Sequence, residues 1–395
     1  MRNLLLIFSF LLLLNVNKSY AQEKSFDEQV AVRIFAQTKI NSILIAPQKG
    51  IYQLIADGNK IMELNESSVI KATLLNDVIE VKAFENDLGK FKTINLVSTD
   101  EEKNLKIKVL NPDRKARFYD DDLLISIIEN EGLKLINNTF IDNYIAGVSE
   151  AEAGKSAGIE FYKVQSVLAR TYALAHLYKH QPEGFNLCDQ VHCQAFHGKS
   201  TQTPILNAVH STRGEVVVDQ DLQLITAAFH SNSGGQTANS EDVWGASTTY
   251  LKSVIDTFSL KMPNAYWQKK MPVDEWLNYL KSKHKYPVNN QEAKDVALHF
   301  KQETRKVNLI YDNIKIPLKN IRTDLKLKST FFSVELSEDG NSITLNGRGF
   351  GHGIGMCQEG AINMTKSGYD YKKVLNFYYK NIHIIHLREL HFFKE

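Results

Sequence analysis

Two glutamates, Glu150 and Glu152, stand just ahead of a strongly periodic apolar segment, and Arg170 follows Glu152 by 18 positions. Carboxylates near a helix N-terminus meet unpaired N–H groups, which favour anions. Arg170 falls about 90° from the centre of the apolar stripe of the predicted helix, at the edge of the core. It can steady a substrate oxygen, and a structural ion pair fits its spacing equally well. The glutamates therefore indicate acid chemistry or, alternatively, helix capping and solvated charge.

Two thiols and an imidazole lie within six residues, at Cys188, His192 and Cys193, and His180 is nearby. Thiolate and imidazole are donors that zinc prefers, although one C-x4-C pair is less diagnostic than two C-x2-C knuckles. In an oxidising compartment the same thiols can form a disulfide. The sequence leaves both a zinc site and a Cys188–Cys193 disulfide open, and the flanking histidines favour the metal.

Residues 154–158 read G-x-S-x-G around Ser156, between a predicted strand and a predicted helix. That is the context of a nucleophile elbow, so a serine esterase is one alternative. The chain lacks the regular strand–helix alternation of that fold, and no HGGG-type loop precedes the motif. A plain glycine turn into the helix is the favoured interpretation.

Two other segments combine glycine with polar side chains. Residues 230–235 end an apolar strand in a polar turn whose groups suit sugar hydroxyls, although such residues also occur in ordinary turns. Residues 347–355 have glycine at every second position. An extended strand would place these glycines on one face, which a ligand or another backbone can approach closely. The spacing does not match the dinucleotide-binding G-x-G-x-x-G pattern.

The elements that must position these residues differ along the chain. Short β-branched runs predict strands at 32–35, 43–45, 52–55, 69–75, 78–81, 94–97 and 105–109. Residues 140–148 predict a strand or a turn and strand, and residues 159–180 predict a core-facing helix. Strands are expected at 215–218, 222–229, 307–311, 325–327 and 342–345. Helices are expected at 273–283 and 358–366, with an extended segment at 347–355.

Composition and the N-terminus limit the class of protein. With 395 residues, 43% of them hydrophobic, and three cysteines, the chain is neither disordered nor a disulfide-stapled mini-protein. An apolar run at 4–14 and the small-x-small segment ending at Ala21 predict a cleaved export signal at 1–21, with an uncleaved anchor as the alternative. The remaining chain has 45 basic and 45 acidic residues. No nucleic-acid partner and no stable membrane insertion after signal removal are expected.

The ordered motifs together resemble the SpoIID/LytB family of bacterial cell-wall proteins over about residues 140–386. The matching segments are Tyr144-x-x-Gly-Val-x-x-x-Glu152, Val167-Leu-Ala-Arg-Thr-Tyr-Ala-Leu174, Cys188-Asp-x-x-His-Cys-Gln194, Ser231-Asn-Ser-Gly-Gly-Gln-Thr237, Val243-Trp244, Tyr250-Leu251 and residues 347–361. Patterns and resemblance predict an α+β fold. A β-rich N-terminal module (22–135) would pack on a mixed α/β catalytic core with a groove (136–395), and this core would carry an insertion at about 262–345.

The resemblance implies a lytic transglycosylase that acts on peptidoglycan glycan strands, preferring strands stripped of stem peptides. Its catalytic glutamate would be Glu152, because Glu150 stands where the family usually has a small residue, and Arg170 would be associated with activity. Zinc would be bound by Cys188 and Cys193 with His180 or His192. The predicted substrate-binding residues are Tyr172, His230, Ser231, Ser233, Arg348, His352 and Gln358. The chain departs from the family at 153–154, often Met-Pro, and at Cys357, often Ser.

A single catalytic acid agrees with this chemistry. A glycosidase that activates external water generally needs two carboxylates, whereas attack by the sugar's own 6-hydroxyl needs one. That acid must start protonated, which requires apolar surroundings that raise its pKa. The LytB branch offers a second hypothesis, a non-catalytic glycan-binding protein that enhances a partner amidase. Either protein would be exported, to the periplasm or another extracytoplasmic cell-wall location.

Overall fold

A computed structural model describes residues 29–392 of the chain. The predicted export signal at 1–21 lies outside the described residues. Within 29–392, no helix combines the length and apolar character needed to cross a bilayer. Helices and several sheets are both present, which confirms the α+β prediction.

Residues 29–140 form β-strands almost throughout, because alternating apolar and polar side chains give each strand one buried face. The strands are β1 (Gln29–Ile34), β2 (Ser42–Lys49), β3 (Tyr52–Ala56), β4 (Asn59–Leu64), β5 (Ile70–Leu75), β6 (Val78–Ala83), β7 (Asn86–Phe91), β8 (Ile94–Val97), β9 (Asn104–Asn111), β10 (Arg117–Asp120), β11 (Asp122–Ile128) and β12 (Gly132–Phe140). All strands predicted between 31 and 109 are confirmed. Within residues 31–109 the two strands that were not predicted, β4 and β7, are largely exposed strands at sheet edges, and β10, β11 and β12 were not predicted either.

The rest of the chain mixes helices with short strands. In order these are α1 (Ile141–Ala153), α2 (Ile159–Ala175), β13 (Leu187–Cys188), α3 (Thr203–Ser211), β14 (Glu215–Val218), β15 (Phe229–His230), α4 (Ser240–Trp244), β16 (Tyr266–Pro272), α5 (Val273–His284), α6 (Gln291–Leu298), β17 (Asn308–Tyr311), β18 (Ile314–Pro317), α7 (Leu318–Asp324), β19 (Phe332–Leu336), β20 (Ser342–Arg348), β21 (Met356–Cys357), α8 (Gln358–Lys366), α9 (Tyr371–Tyr378), β22 (His383–His386) and α10 (Leu387–Phe392). The helices predicted at 159–180, 273–283 and 358–366 are confirmed, although α2 ends five residues early.

Two sheets organise the N-terminal part. One has the order β10-β9-β2-β5-β6-β7, and the other has the order β13-β1-β12-β11-β8-β3-β4. In the second sheet β13 pairs in parallel with β1, with Arg33 opposite Cys188. One hydrophobic core runs from Val30 to Ile382, and the predicted module boundary after residue 135 falls inside β12. The insertion has a separate core around Trp276.

The prediction for residues 140–148 is wrong, because the strand β12 stops at Phe140 and the helix α1 begins there. The buried side chains of Tyr144 and Val148 are four residues apart and share one helical face. Gly147 permits close packing, since an added Cβ would lie 2.3 Å from the Gly198 carbonyl oxygen. The G-x-S-x-G segment therefore follows a helix, and Ser156 is exposed in a loop without the strand that a nucleophile elbow requires.

The glycine-alternating segment is also not the extended strand that was predicted. Gly349, Gly351, Gly353 and Gly355 all have positive φ, at 79°, 115°, 84° and 69°. Residues that carry a side chain rarely adopt this backbone conformation, so the glycines allow a winding loop to follow β20. An added Cβ on Gly351 would lie 2.8 Å from His230 Cβ. Residues 222–229 and 325–327 also lack the predicted strands, apart from Phe229, which begins β15.

Candidate functional site

Glu152 lies in the last turn of α1, at the C-terminal rather than the N-terminal end of a helix. Its side chain is half-buried, and the Ala195 N–H donates a hydrogen bond of 2.8 Å to Oε1. Burial raises the pKa of Glu152, and the hydrogen bond from Ala195 opposes this only in part. The carboxyl group is therefore suited to hold a proton above the usual range for glutamate.

A cavity of about 340 Å³ opens beside Glu152. Its walls are mostly apolar and aromatic, and among the described residues that line it Glu152 is the only carboxylate. The lining residues are Glu152, Tyr172, Val191, Cys193, Gln194, Thr226, Ala227, Ala228, Phe229, Trp244 and His352. The Trp244 side chain is 48% exposed, so its ring can receive the apolar face of a sugar.

Two histidines lie together on one side of this cavity. The ring of His352 lines it, and its centroid lies 5.5 Å from that of the buried His230. His352 Nδ1 accepts a hydrogen bond from Ile354 N–H at 3.0 Å, and His230 Nδ1 lies 3.1 Å from the Ile354 carbonyl oxygen. Burial lowers the pKa of His352 to about 4, and burial together with His352 lowers that of His230. Both rings are therefore neutral near pH 7.

Two of the predicted residues lie close to Glu152, whereas Glu150 is held elsewhere. Gln358 Nε2 donates to the Glu152 carbonyl oxygen at 3.3 Å. Tyr172 lines the cavity and stacks on His176 with 4.0 Å between ring centroids. Glu150 accepts a 2.7 Å hydrogen bond from Ser200 Oγ and pairs with Lys155.

The four predicted metal-ligating residues come together in a cluster. The ligand atoms of His180, Cys188, His192 and Cys193 all lie within 4.8 Å of one another. Cys193 Sγ lies 3.5 Å from His180 Nε2, and both cysteines are free thiols. Tetrahedral zinc places sulfur and nitrogen ligands about 3.5 Å apart, so this donor set fits the ion. Glu183 contacts the other ring nitrogen of His180, as carboxylates often do beside metal-binding histidines.

The cluster and Glu152 share one stretch of chain. Cys193 belongs to the cluster and also lines the cavity, and Ala195, two residues later, donates to Glu152. The strand β13 ends at Cys188 and is fixed to the N-terminal sheet by its pairing with β1. An ion bound here would therefore anchor the segment that holds the carboxyl group.

Several predicted residues lie away from the cavity lining. Arg170 is 1% exposed, and its guanidinium pairs with Asp142 and donates to the carbonyl oxygens of Thr212 and Glu215. This placement favours the structural ion pair that the spacing left open. Burial lowers the pKa of the Arg170 side chain.

The turn residues Ser231 and Ser233 and the strand residue Arg348 also make internal contacts. Ser233 Oγ donates to Asp256 at 2.8 Å. Ser231 Oγ accepts from Asn264 at 3.4 Å. Arg348 donates to two carbonyl oxygens of the insertion and lies 3.7 Å above the Phe331 ring centre. These contacts hold the turn and the insertion in place.

Sequence reasoning missed two contributors to the site. Ala195 acts through its backbone N–H, which no side-chain pattern can reveal. Trp244 belongs to the matching segment Val243-Trp244, but the sequence alone assigned it no role. In the structure its ring centroid lies 5.6 Å from that of His352.

Comparison with known proteins gives a consistent result. A family model described as SpoIID, Stage II sporulation protein, matches residues 129–218. An uncharacterised protein of Brachyspira hyodysenteriae (strain ATCC 49526 / WA1) is 30% identical over 268 residues, covering 66% of this chain and 71% of that protein. The Amidase enhancer of Bacillus subtilis (strain 168) is 28% identical over 60% of this chain and 39% of its own length. Stage II sporulation protein D of the same strain is 29% identical over 63% of this chain and 75% of its own length.

Proposed function

The chain belongs to the SpoIID/LytB family, and we propose that it is an exported lytic transglycosylase that cuts peptidoglycan glycan strands. The observation that carries this proposal is the single carboxyl group in the cavity, which burial keeps protonated above the usual range. One acid suffices when the attacking hydroxyl belongs to the sugar itself. We place the protein in the cell envelope outside the cytoplasm, on the basis of the predicted signal and the family.

The proposed reaction uses Glu152 twice. Its proton passes to the glycosidic oxygen as the bond from that oxygen to C1 of the sugar breaks. The carboxylate then takes the proton of the 6-hydroxyl, whose oxygen bonds to C1 and closes a 1,6-anhydro ring. The Ala195 N–H stabilises the negative charge between these two steps. No water is consumed, and Glu152 ends in the state in which it began.

The other cavity residues bind and orient the glycan. Tyr172 and Trp244 offer aromatic surfaces for sugar faces, and neutral His352 can exchange hydrogen bonds with hydroxyl groups. We assign Gln358 to positioning Glu152, since it donates to the Glu152 backbone. The buried His230 ring packs against the ring of His352 and helps to hold it in position.

We also propose that one zinc ion is bound by His180, Cys188, His192 and Cys193. When bound, the ion supplies a cross-link between chain segments, because four protein ligands leave no open position for substrate. These residues would then keep the segment up to Ala195 rigid. The metal has no part in proton transfer at Glu152.

The test of the proposed reaction is an assay on purified mature protein with peptide-stripped glycan, read by mass spectrometry of the ends. Wild-type protein is expected to release 1,6-anhydro products, and Glu152→Gln is expected to reduce the rate at least about 100-fold, since it removes the acid. Glu150→Gln is the matched control and should leave the rate unchanged. Wild-type rates in Glu152→Gln would remove this residue from the mechanism.

A second function is favoured by the similarity to the Amidase enhancer of Bacillus subtilis. In that case the same cavity would bind glycan without cutting it. Absence of anhydro ends from wild-type protein, together with faster release of stem peptides by an added amidase, would establish the second function in place of the first.

A further inference from the structure

A groove of about 780 Å³ opens in the insertion between the end of α6 and the strand β17. Asp295 and His299 line it on the helix side, and Val307, Asn308 and Ile310 line it on the strand side. None of these residues lines the Glu152 cavity. The proposed reaction therefore gives the groove no role.

The helix and the strand beside this groove run in opposite directions. Tyr311, at the end of β17, donates a 3.2 Å hydrogen bond to Asn290, which caps the start of α6. At the other end of β17, Asn308 shares the groove with His299, which follows α6. The groove therefore lies along β17, and a strand edge in such a groove is a recurring site for extended peptides.

One edge of β17 is unpaired. Within residues 29–392 the strand pairs with β18 alone, and Tyr311 and Ile314 flank the two-residue turn of this hairpin. Such a turn is closed by a hydrogen-bonded pair, after which hydrogen-bonded and non-hydrogen-bonded pairs alternate. Asn308 and Ile310 fall in non-hydrogen-bonded pairs, so their N–H and C=O groups point away from β18. Pro317, which has no N–H, lies opposite Asn308 as this alternation permits.

The surface of the groove is partly apolar. Val307 and Ile310 are 41% and 50% exposed, although side chains of this kind are mostly buried in folded proteins. The buried Phe300 also lines the groove. An extended peptide places every second side chain on one face, so alternate apolar side chains of a bound strand can contact this surface.

Positive charge surrounds the groove. Residues 301–328 contain eight Lys and Arg against three Asp and Glu, although the chain as a whole has a net charge of only +2. Lys301 and Lys306 line the groove, and neither forms a salt bridge within residues 29–392. The carboxylate of Asp295 lies 3.0 Å from the His299 ring. An acidic ligand complements this distribution of charge.

We propose that this groove binds an extended, acidic segment of a partner protein, which adds a strand to the free edge of β17. The backbone of the segment would pair with Asn308 and Ile310, and its carboxylates would lie near Lys301 and Lys306. A polypeptide fits better than an anionic polysaccharide, because only a polypeptide supplies N–H and C=O groups at the spacing of a strand. This interaction goes beyond the proposed reaction and does not depend on it.

The experiment measures binding of a fluorescent heptapeptide of alternating glutamate and valine to full-length mature protein by fluorescence anisotropy. We expect saturable binding with a dissociation constant on the order of 100 μM, because a short flexible peptide loses entropy when it binds. A heptapeptide of alternating lysine and valine is the matched control and should bind at least about tenfold more weakly. Absence of saturable binding by the acidic peptide, or equal binding of the two peptides, would overturn the proposal.

Ile310→Pro tests pairing with the strand edge. It removes an N–H that the hairpin does not use, and proline is tolerated at such a position, as Pro317 shows on the facing strand. Binding of the acidic peptide should weaken at least about tenfold, since proline cannot donate to the added strand. Lys315→Pro is the matched control, because Lys315 pairs with Ile310 and its N–H points to the opposite edge. Unchanged binding by Ile310→Pro, or equal weakening by Lys315→Pro, would overturn pairing at β17.

Lys301→Gln combined with Lys306→Gln tests the role of charge without altering the hairpin. The acidic peptide should bind about tenfold more weakly. Lys319→Gln combined with Lys326→Gln is the matched control, since these exposed lysines of the same insertion do not line the groove. Unchanged binding in the first double variant would overturn the proposal. Weaker binding there but not in Ile310→Pro would show that the groove holds anions by charge alone, and an anionic polymer would replace the polypeptide as its ligand. None of these measurements uses glycan cleavage, so their outcome is independent of the proposed reaction.

Discussion

The two sides of the Glu152 cavity differ in the charged groups that lie near them. On the first side, the end of α1 and the segment 193–195 meet at Glu152, and no cation among residues 29–392 forms a salt bridge with its carboxyl group. On the second side, the loop that carries His352 packs against the insertion at Arg305, which forms no salt bridge with an acid among residues 29–392 and lowers the pKa of His352. A cation beside Glu152 would lower its pKa and remove the proton that the reaction needs. The difference indicates that the positive charge of the insertion acts on the histidines and not on the acid.

The position of Arg170 agrees with this separation. Its guanidinium pairs with Asp142, which also pairs with Arg213, so the charge of Arg170 is balanced inside the core. Had Arg170 faced Glu152, it would have favoured the ionised carboxylate. The structure thus gives this arginine a contact that leaves the acid neutral.

The largest effect is expected from removing one predicted metal ligand from the Cys/His cluster on the first side of the cavity. Cys193→Ser removes a thiolate ligand, so we expect loss of the bound metal, a lower melting temperature and a rate of anhydro release reduced about 100-fold, because the Ala195 N–H is no longer held in place. Metal content by mass spectrometry, thermal melting and the glycan assay check this. Cys357→Ser is the matched control, since that buried thiol lies outside the cluster and accepts a hydrogen bond from Gly360 that a hydroxyl also accepts.

A stable, fully active and metal-free Cys193→Ser protein would show that the cluster has no part in holding Glu152. Thiol titration of the unfolded wild-type protein with and without reductant provides a separate check. Equal counts in the two conditions are expected if the cysteines are free, whereas two additional thiols after reduction would identify a Cys188–Cys193 disulfide instead.

A smaller effect is expected from placing a second cation on the cavity wall beside Glu152, where Lys179 contacts Tyr172 but does not pair with the acid. Val191 lines the cavity and is 87% exposed, so Val191→Lys should not disturb the fold. The new charge should lower the pKa of Glu152 by up to about one unit. Activity depends on the protonated acid and falls as pH rises through this pKa, so the falling limb of the pH–rate profile should move to lower pH.

Val191→Gln is the control for Val191→Lys, because it changes size and polarity without adding charge. The falling limb of the pH–rate profile of Val191→Gln should stay at the wild-type position. Because His192 is adjacent, the metal content of both variants is measured as well, and it should equal that of the wild type. An unmoved limb in Val191→Lys would mean that the ionisation of Glu152 does not set the pH dependence. The contrast between the two sides would then have no bearing on catalysis.

The sequence allowed some of these features to be predicted and not others, for physical reasons. Glu152 and the four cluster residues were found because their side chains carry the chemistry and their spacing is local. The strands up to β9 were found where burial imposes alternation, and the exposed edges β4 and β7 were missed. Residues 141–148 were misread because Ile145 and Val148 favour strands, yet they pack as a helix against α2.

Other features depend on contacts that are distant in sequence. A helical wheel gave the angular position of Arg170, but only the fold shows that Asp142 fills that space. The glycines of 349–355 were recognised, but the sequence could not show that Gly349 and Gly351 lie against the turn at 230–234, whereas Gly353 lies against Arg305. Arg305 of the insertion donates to the carbonyl oxygens of Ser233 and Gln236, and no local pattern specified these contacts between distant segments.

The smallest effect is expected on stability, and it tests whether burial of Glu152 raises its pKa. Folding raises the pKa of Glu152, so the folded state binds its proton more tightly than the unfolded state does, and ionisation at higher pH costs stability. Glu152→Gln keeps the acceptor for Ala195 and removes this cost, so its melting temperature should exceed that of the wild type by a few degrees at pH 7. Below about pH 4 both states are protonated and the gain should vanish. A gain that persists at low pH, or an equal gain in Glu150→Gln, would show that the stabilisation does not come from a buried charge at Glu152.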